Sequence, residues 1–249
     1  MKNLLISIAK STGQIILKNF MKDESKKILQ FHSKYSYSIR LDKIIENIII
    51  KTLEENNFKG TLITEETGEL MLGRSKLKLF IDPLDGSVNF SRGIQQFCIS
   101  LALEKMDKTL VGVIYDPYRK NLFVAEKNKG AFLNDKKINV SKRKMPPLFV
   151  NIEWSGAKSY LEIVKKIIPF YRIRTAGSGV LALCETACGI TDGTILVENK
   201  PWDIPGGALL VEEAGGIVTN SESKRWNTSN KLLLASNGLI HEDLIKLLS

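Results

Sequence analysis

Hydrophobic residues near the start of the chain recur with the 3.6-residue period of an amphipathic helix. The period runs from Leu4 to Phe20 and again from Ile44 to Leu53, which predicts two helices. A polar, lysine-bearing segment separates them. From Lys76 the pattern changes to short apolar runs, beginning with a short alternating strand, which indicates an antiparallel sheet. Its strands are predicted at residues 76–82, 97–103, 109–117, 121–126 and 130–140.

The chain beyond the basic, proline-containing stretch 142–147 alternates between predicted strands and helices. Together with the first half, this order predicts an α/β (α+β) protein with an N-terminal subdomain, 1–145, and a C-terminal subdomain, 146–249. The strands are predicted at residues 148–154, 171–175, 193–198 and 231–236, and the helices near 159–168, 178–188, 204–214 and 239–248.

The composition is that of a globular protein with an unusually basic balance. The 249 residues carry a formal net charge of +9 and are 43% hydrophobic, which excludes disordered and collagen-like chains. Three cysteines without CxxC spacing exclude a disulfide framework and a zinc ribbon. The charge favours an anionic partner, either a polyanion or a phosphorylated small molecule.

Targeting and membrane segments are not predicted. The apolar stretch at the start is too short for a signal peptide, and no window approaches the roughly 18 apolar residues of a membrane span. We therefore expect a cytoplasmic protein that does not bind membranes. His32 and His241 stand in polar surroundings and are interpreted as exposed residues without a catalytic role, and Cys184 and Cys188 as core residues.

The sharpest local feature is the sequence IDPLDGSVNF, residues 81–90. Asp82 ends an apolar run, Pro83 is expected to stop that strand as a central ladder member, and Asp85-Gly86 predicts a turn. Two carboxylates at one strand end would face the same point. A simple Asx-type turn without a ligand is the alternative interpretation.

Other carboxylates also stand beside predicted turns or element ends. Glu65 and Glu66 follow an apolar pair, Asp42 stands at a helix start, and Asp203 precedes a helix that it could merely cap. Oxygen ligands without a nearby His or Cys favour Mg²⁺ over zinc or iron. A carboxylate–metal centre in a basic protein suits a phosphate ester, which the backbone N–H groups of Gly86 and Ser87 could bind.

Together the motifs resemble the inositol monophosphatase family of Mg²⁺-dependent, lithium-sensitive sugar phosphatases. The motifs are EE (65–66), DPLDGS (82–87), WDIPGG (202–207) and LLVEEAGG (209–216), and the correspondence runs over almost the whole chain. The closest resemblance is to the archaeal branch, whose members often hydrolyse both inositol monophosphates and fructose 1,6-bisphosphate. The resemblance implies a layered α/β/α/β/α sandwich and a homodimer.

The resemblance also implies the roles of individual residues. Two Mg²⁺ ions would be held by Glu65, Asp82, the Leu84 carbonyl, Asp85 and Asp203, with Asp82 bridging them. Ser87 would orient the attacking water, with Asp42 as its partner and Glu65 as base. The segment before Asp42 lacks the glycine and acidic residues on which a third ion would depend.

The substrate is expected to be a small phosphate ester. By resemblance, the residues that contact it are Asp85, Gly86, Ser87, Gly177, Ser178, Glu198 and, for a second phosphate, Arg172 and Arg174. Inositol 1-phosphate is the first expectation. Fructose 1,6-bisphosphate, alone or beside it, and 3′-phosphoadenosine 5′-phosphate are alternatives.

Two other functions fit part of the sequence. Gly177-x-Gly179-x-x-Ala182 matches a dinucleotide-binding fingerprint, although an oxidoreductase would leave the carboxylates around residues 65, 82 and 85 unexplained. A nucleic-acid-binding protein would use the charge, but the lysine clusters are short and scattered, so no nucleic-acid partner is expected.

Overall fold

The structure is a computed structural model that describes residues 1–31, 37–153, 158–198, 200–228 and 230–248. The described residues form seven α-helices and fifteen strands. The helices are α1 (Lys2–Asn19), α2 (Arg40–Glu55), α3 (Ser87–Ser91), α4 (Lys158–Ile167), α5 (Gly179–Ala187), α6 (Pro205–Glu213) and α7 (His241–Leu248). The strands are β1 (Ile28–Phe31), β2 (Tyr37–Ile39), β3 (Thr61–Thr64), β4 (Gly68–Met71), β5 (Leu77–Asp85), β6 (Cys98–Lys105), β7 (Lys108–Asp116), β8 (Asn121–Glu126), β9 (Gly130–Leu133), β10 (Lys136–Lys137), β11 (Phe149–Ile152), β12 (Arg172–Arg174), β13 (Gly193–Val197), β14 (Ile217–Thr219) and β15 (Leu232–Ser236).

Five layers of helices and sheets stack on one another. Helices α1 and α2 pack on one face of the first sheet, and α5 and α6 lie between the two sheets. Helix α7 packs on β15 and on α4, outside the second sheet. Each sheet therefore buries both faces, and the predicted α/β/α/β/α sandwich is confirmed.

The first sheet has eight strands in the order β10-β9-β8-β7-β6-β5-β3-β4. Its neighbours are antiparallel, as predicted, apart from the parallel pair β3 and β5. Strand β5 differs from the predicted alternation, because its residues from Leu79 to Leu84 are all buried. Since helices cover both faces of this sheet, a central strand has no solvated side to mark with polar residues.

The second sheet has five strands in the order β12-β11-β13-β15-β14. Strands β11, β12 and β13 are parallel, whereas β13, β15 and β14 pair in antiparallel fashion. The carboxyl ends of β11, β12 and β13 therefore lie at one edge, which is where α/β sheets bind their ligands. The first sheet ends at Lys137 and the second begins at Phe149, on either side of residue 145, although the division into subdomains stays a prediction.

Helix α6 lies directly against the first sheet. Gly206 in its first turn faces Gly112 on β7, and a Cβ atom on Gly112 would lie 2.8 Å from the Gly206 carbonyl oxygen. The glycine at this helix start thus permits a close backbone approach. The contact fixes where α6 begins.

Some elements escaped the sequence analysis. The polar segment between the first two helices contains the antiparallel pair β1 and β2, and all four residues of β1 are exposed. An exposed ribbon has no buried face, so it lacks the alternation from which strands are predicted. The short strands β4 and β14 were missed as well. His32 lies outside the described residues.

His241 corrects an expectation. It is 6% exposed, and its ring accepts or donates hydrogen bonds with Thr219 at 3.0 Å and Ser236 at 2.9 Å. Burial lowers its pKa below the usual value. Ser236 is buried with it, whereas Glu242 and Asp243, which follow it in sequence, are exposed. His241 therefore joins β14, β15 and α7 as a buried residue.

The remaining sequence expectations concern cysteines and membrane segments. Cys184 is buried, as predicted, and Cys188 is half-buried. Among the residues that the structure describes, no helix has the length and apolar character needed to cross a bilayer.

Candidate active site

Parallel strands β3 and β5 bring two acidic residues to one sheet edge. Thr64, the last residue of β3, pairs with Ile81 of β5. Glu65 and Asp82 are the next residues along the two segments, so they lie side by side where β3 ends and where the β5 bulge begins. The predicted strand end before Glu65 is therefore confirmed.

Strand β5 continues beyond Pro83, contrary to expectation. The pairing with β6 resumes at Asp85, opposite Cys98, after a register shift that begins at Asp82. Because such a bulge leaves a residue outside the ladder, a proline without an N–H is tolerated even in a central strand. The Leu84 N–H donates to Asp82 Oδ1 at 2.9 Å and so orients that carboxylate.

A glycine turn connects β5 to the short helix α3, as the sequence predicted. Gly86 has φ +87°, and a Cβ atom there would lie 2.6 Å from the carbonyl oxygen of Gln96. Only glycine fits this position without a shift of the backbone. Ser87 follows as the first residue of α3, and its hydroxyl donates to the Leu84 carbonyl at 2.9 Å.

Asp85 is held by the beginning of α5. Its Oδ2 accepts a hydrogen bond from the Ser178 hydroxyl and another from the Val180 N–H at 3.1 Å. Burial raises the pKa of Asp85, and these bonds, with the positive end of the helix, oppose that shift by favouring the ionised carboxylate. In a dinucleotide-binding site, this helix terminus would face a pyrophosphate. Asp85 takes that place, which argues against the oxidoreductase alternative.

Asp203 precedes α6 without capping it. The N-cap position belongs to Ile204, and Pro205 occupies the first turn. The Lys200 N–H donates to Asp203 Oδ2 at 3.2 Å. Burial, and after it the charge of Asp85, raise the pKa of Asp203 to about 7.

Asp42 lies in the first turn of α2. It is fully buried, and its Oδ2 accepts the Ile39 N–H at 2.7 Å. Burial raises its pKa well above the usual value, opposed first by the hydrogen bond from the Ile39 N–H. Among the described residues, Asp42 Oδ1 is buried without a hydrogen-bond partner, and the Ser87 hydroxyl donates to the Leu84 carbonyl instead. The pairing of Asp42 with Ser87 stays a prediction.

The carboxylates repel one another. Burial raises the pKa of Glu65 well above its usual value, and the next largest influences are the charges of Asp203 and Asp42. The pKa of Asp82 is raised in the same way by burial and then by Glu65 and Asp85. A cation would relieve this repulsion, because buried charges are costly unless they are paired or bind metals.

The donor set fits Mg²⁺, which binds through oxygen. Within the described ranges, no three His, Cys, Asp or Glu side chains are already arranged to hold a metal ion. Mg²⁺ does not need such a cage, because it keeps several waters and is usually bound through one or two carboxylates with substrate phosphates. Asp82 and Asp85 are oriented by hydrogen bonds from their own backbone neighbours and from α5.

Two acidic residues that the sequence analysis missed support the site. Glu46 is fully buried on α2 and accepts the Glu66 N–H at 2.8 Å and the Thr67 hydroxyl, which holds the turn that carries Glu65. Its position one helical turn after Asp42, on the apolar face, was the available signal. Glu153 follows β11; burial raises its pKa to about 7, opposed by two backbone N–H groups.

The predicted substrate residues are only partly brought together. Ser178 lies against Asp85, and Gly177 precedes it. Arg172 stacks over the Phe149 ring, and Arg174 lies 3.9 Å from the Glu185 carboxylate, so both arginines have partners outside the carboxylate cluster.

Glu198 is exposed just beyond β13 with φ +54°. It therefore stands at the edge formed by the carboxyl ends of the parallel strands. Its role toward a substrate stays a prediction.

Known proteins resemble the chain over its whole length. The model of the inositol monophosphatase family matches residues 1–249. A Pasteurella multocida protein named Nus factor SuhB is 33% identical, over 99% of this chain and 95% of its own.

Solved structures show the same fold. An inositol monophosphatase from Thermotoga maritima superimposes with a TM-score of 0.90 at 26% identity, covering 100% of this chain and 97% of its own. The MJ0109 gene product, described as an inositol monophosphatase–fructose 1,6-bisphosphatase, gives a TM-score of 0.85 at 26% identity, with 99% and 98% covered.

Proposed function

Because the chain belongs to the inositol monophosphatase family, we propose that it is a Mg²⁺-dependent phosphatase that hydrolyses the phosphate monoester of a small sugar or polyol. The family membership that the motifs predicted is thereby confirmed. The activity, the metal and the substrate are our proposal.

One observation carries the proposal: acidic residues from distant parts of the chain converge on one point. Glu65 follows β3 beside Asp82 of the neighbouring strand β5. After burial, the charge of Asp203 is the next influence that raises the pKa of Glu65, and the charge of Asp85 raises that of Asp203. Such convergence of like charges destabilises a protein unless a cation binds. Its cost is understandable in a site built for metal-assisted hydrolysis.

The metal would be held by Glu65, Asp82, Asp85, Asp203 and the Leu84 carbonyl. When bound, Mg²⁺ supplies Lewis-acid polarisation of a phosphoryl oxygen and lowers the pKa of a bound water. The protein orients its ligands beforehand, through the Leu84 N–H on Asp82 and the α5 terminus on Asp85.

Ser87 and Asp42 would orient the attacking water. The Ser87 hydroxyl has one proton, which it donates to Leu84, while its neighbour Asp42 is buried and fixed by the Ile39 N–H. A water beside Ser87 would be aligned by this pair, and Glu65 would accept its proton. The amides of Gly86 and Ser87 at the start of α3 would bind the phosphate.

The substrate proposed first is inositol 1-phosphate. The turn at Gly177 and Ser178 would contact its ring, and Glu198 would accept a hydrogen bond from a hydroxyl group. Fructose 1,6-bisphosphate is the second candidate, because the MJ0109 gene product combines both activities in its description. Arg174 is exposed and lies near Glu185, and we assign it to a second phosphate. Arg172, at the start of β12, is the second candidate for this role.

The experiment measures phosphate release from inositol 1-phosphate, fructose 1,6-bisphosphate and 3′-phosphoadenosine 5′-phosphate, with Mg²⁺ titrated and Li⁺ added. Asp85→Asn should lower kcat about 100- to 1,000-fold, the scale on which one lost stabilising group acts. Asp135→Asn, the same change at an exposed turn, should leave kcat unchanged. Near-normal turnover by Asp85→Asn would refute the proposal, as would wild-type protein inactive on every ester.

The proposed partners are limited to this small phosphate ester and a second copy of the chain. Arg143 of the basic stretch 142–144 is already paired with Asp192 at 2.8 Å, and Lys136 and Lys137 lie apart on the edge strand β10. This scatter supports a protein that binds neither nucleic acid nor membrane. Sedimentation velocity tests the homodimer, and a monomer at micromolar concentration would contradict it.

A further inference from the structure

A backbone turn at the site is held from both sides by buried side chains. Glu153 accepts the N–H of Ala176 at 3.1 Å and that of Gly177 at 2.7 Å. The Asn89 amide nitrogen approaches the carbonyl oxygens of the same two residues at 2.8 and 3.1 Å, and that of Gln96 at 2.8 Å. Donors and acceptors of the turn are thus both engaged.

The turn fits tightly against Asn89. Gly177 has φ +71°, and a Cβ atom there would lie 2.9 Å from Asn89 Oδ1. Asn89 is 8% and Glu153 7% exposed. Buried polar groups are costly unless they form hydrogen bonds. The hydrogen bonds with the turn therefore satisfy the two buried side chains and also fix the turn.

The turn delivers Ser178 to Asp85. The Ser178 side chain is 1% exposed and accepts the Leu181 N–H at 3.2 Å, while its hydroxyl donates to Asp85 Oδ2. The Val180 N–H reaches the same oxygen at 3.1 Å. The orientation of the Asp85 carboxylate therefore depends on where the turn places the first residues of α5.

Asn89 and Glu153, which together clamp the turn at residues 176–178, also join the two sheets. Asn89 lies on α3, which connects β5 and β6 of the first sheet, and Glu153 directly follows β11 of the second. Both act on a segment between β12 and α5. A shift of either sheet relative to the other would be transmitted to Ser178.

We propose that Asn89 and Glu153 are positioning residues, which hold the turn at residues 176–178 so that Ser178 and Val180 orient Asp85 for binding a divalent cation. The inference rests on the proposed function, in which Asp85 is a metal ligand. Residues that orient a metal ligand typically change metal affinity 10- to 100-fold when they are replaced.

The test is Mn²⁺ binding to the metal-free protein without substrate, followed by electron paramagnetic resonance. Glu153→Gln keeps the side-chain volume but replaces one accepting oxygen with an amide that faces an N–H group. It should weaken Mn²⁺ binding by about 10-fold or more, as should Ser178→Ala. Glu162→Gln, the same change on the exposed face of α4, is the control and should bind as wild type.

A double variant separates positioning from an independent effect. If Glu153 acts through Ser178, Glu153→Gln with Ser178→Ala should bind Mn²⁺ within about threefold of the weaker single variant. A double variant whose loss of Mn²⁺ affinity equals the product of the two single losses would overturn the proposal. Asn89→Ser removes the donors on the other side of the turn and should cause a similar loss, which provides a second route if Glu153→Gln does not fold.

The outcomes distinguish this inference from the proposed function. Wild-type protein that binds Mn²⁺, with Glu153→Gln and Asn89→Ser binding equally well, overturns the clamp alone. Wild-type protein that does not bind Mn²⁺ overturns the metal site and the clamp with it.

Discussion

Gly112 and Gly206 bring strand β7 and helix α6 into backbone contact. A Cβ atom on Gly112 would lie 2.8 Å from the Gly206 carbonyl oxygen and 3.0 Å from its Cα. Backbone atoms cannot rotate away as a side chain can, so any larger residue must separate the helix from the sheet. Because Asp203 lies just before α6, the contact also sets the position of one site carboxylate.

Gly112→Ala should therefore destabilise the protein by about 1–3 kcal/mol, the usual cost of overpacking a core. Urea denaturation measures the loss. Gly179→Ala is a matched control for stability, because its Cβ would meet only the Leu196 side chain at 3.5 Å. Equal stability of Gly112→Ala and wild type would show that the two backbones are further apart than described.

Removal of metal should make stability depend on pH in a definite direction. Burial and neighbouring carboxylates raise the pKa of Asp203 to about 7, above its usual value of 3.8, and raise that of Glu65 well above 4.5. The folded state then binds more protons than the unfolded state. Stability therefore falls as pH rises through the folded-state pKa of Asp203, which is about 7.

We expect the Tm of the metal-free protein to fall between pH 6.5 and 8, and saturating Mg²⁺ to remove most of the fall. Differential scanning calorimetry with and without Mg²⁺ checks this. Asp203→Asn in the absence of metal should flatten the slope. A metal-free Tm that rises with pH over this range would contradict the electrostatic description of the site.

His241 should act in the opposite sense at lower pH. Burial lowers its pKa below 6.5, so the unfolded state binds more protons and stability falls as pH drops below that value. His241→Gln should lose about 1 kcal/mol at pH 7.5 through a broken hydrogen bond. It should also show a shallower loss between pH 6.5 and 5 in urea titrations. An unchanged slope would mean that His241 does not titrate there.

Asp192 is the centre of a buried network beside the second sheet. It is fully buried and accepts hydrogen bonds from Ser141 at 2.6 Å, from Arg143 at 2.8 Å and from the Phe149 N–H at 2.9 Å. These bonds fix the segment that links the two sheets.

Asp192→Asn should cost about 2–3 kcal/mol, because an amide places a donor where three donors already converge. The change is measured by chemical denaturation. Asp243 lies 4.0 Å from its ion-pair partner Lys246, and both side chains are exposed. Asp243→Asn should therefore change stability by less than about 0.5 kcal/mol. Similar losses in both variants would contradict the assignment of Asp192 as the structural residue.

The positions of the carboxylates beside turns and element ends could be predicted from the sequence, because each one stands next to a local signal. Glu65 follows an apolar run, Asp85 precedes a glycine, and Asp42 stands at the start of an amphipathic helix, and the structure places each as expected. Layered packing could also be predicted, since it follows from the order of helical and strand patterns.

Contacts between distant residues could not be predicted in this way. Ser178 is 93 residues from Asp85, and Glu153 holds a turn more than 20 residues further along the chain. No periodicity records such a pair, because each partner satisfies its own local pattern. The prediction that Pro83 ends the strand was wrong for a related reason. Pro83 lies in a bulge, where no N–H is required for pairing, and the bulge depends on the neighbouring strand β6.

The distance along the chain between the site residues sets the order in which the site can form during synthesis. Asp42, Glu65, Asp82 and Asp85 have all left the ribosome before Ser178 and Asp203 are made. Chains grow at about 5–20 residues per second, so the nascent carboxylates wait for seconds without the α5 terminus or the last proposed ligand. Binding of the proposed cation by the complete site would thus be a late event, and it would report that the C-terminal third has folded.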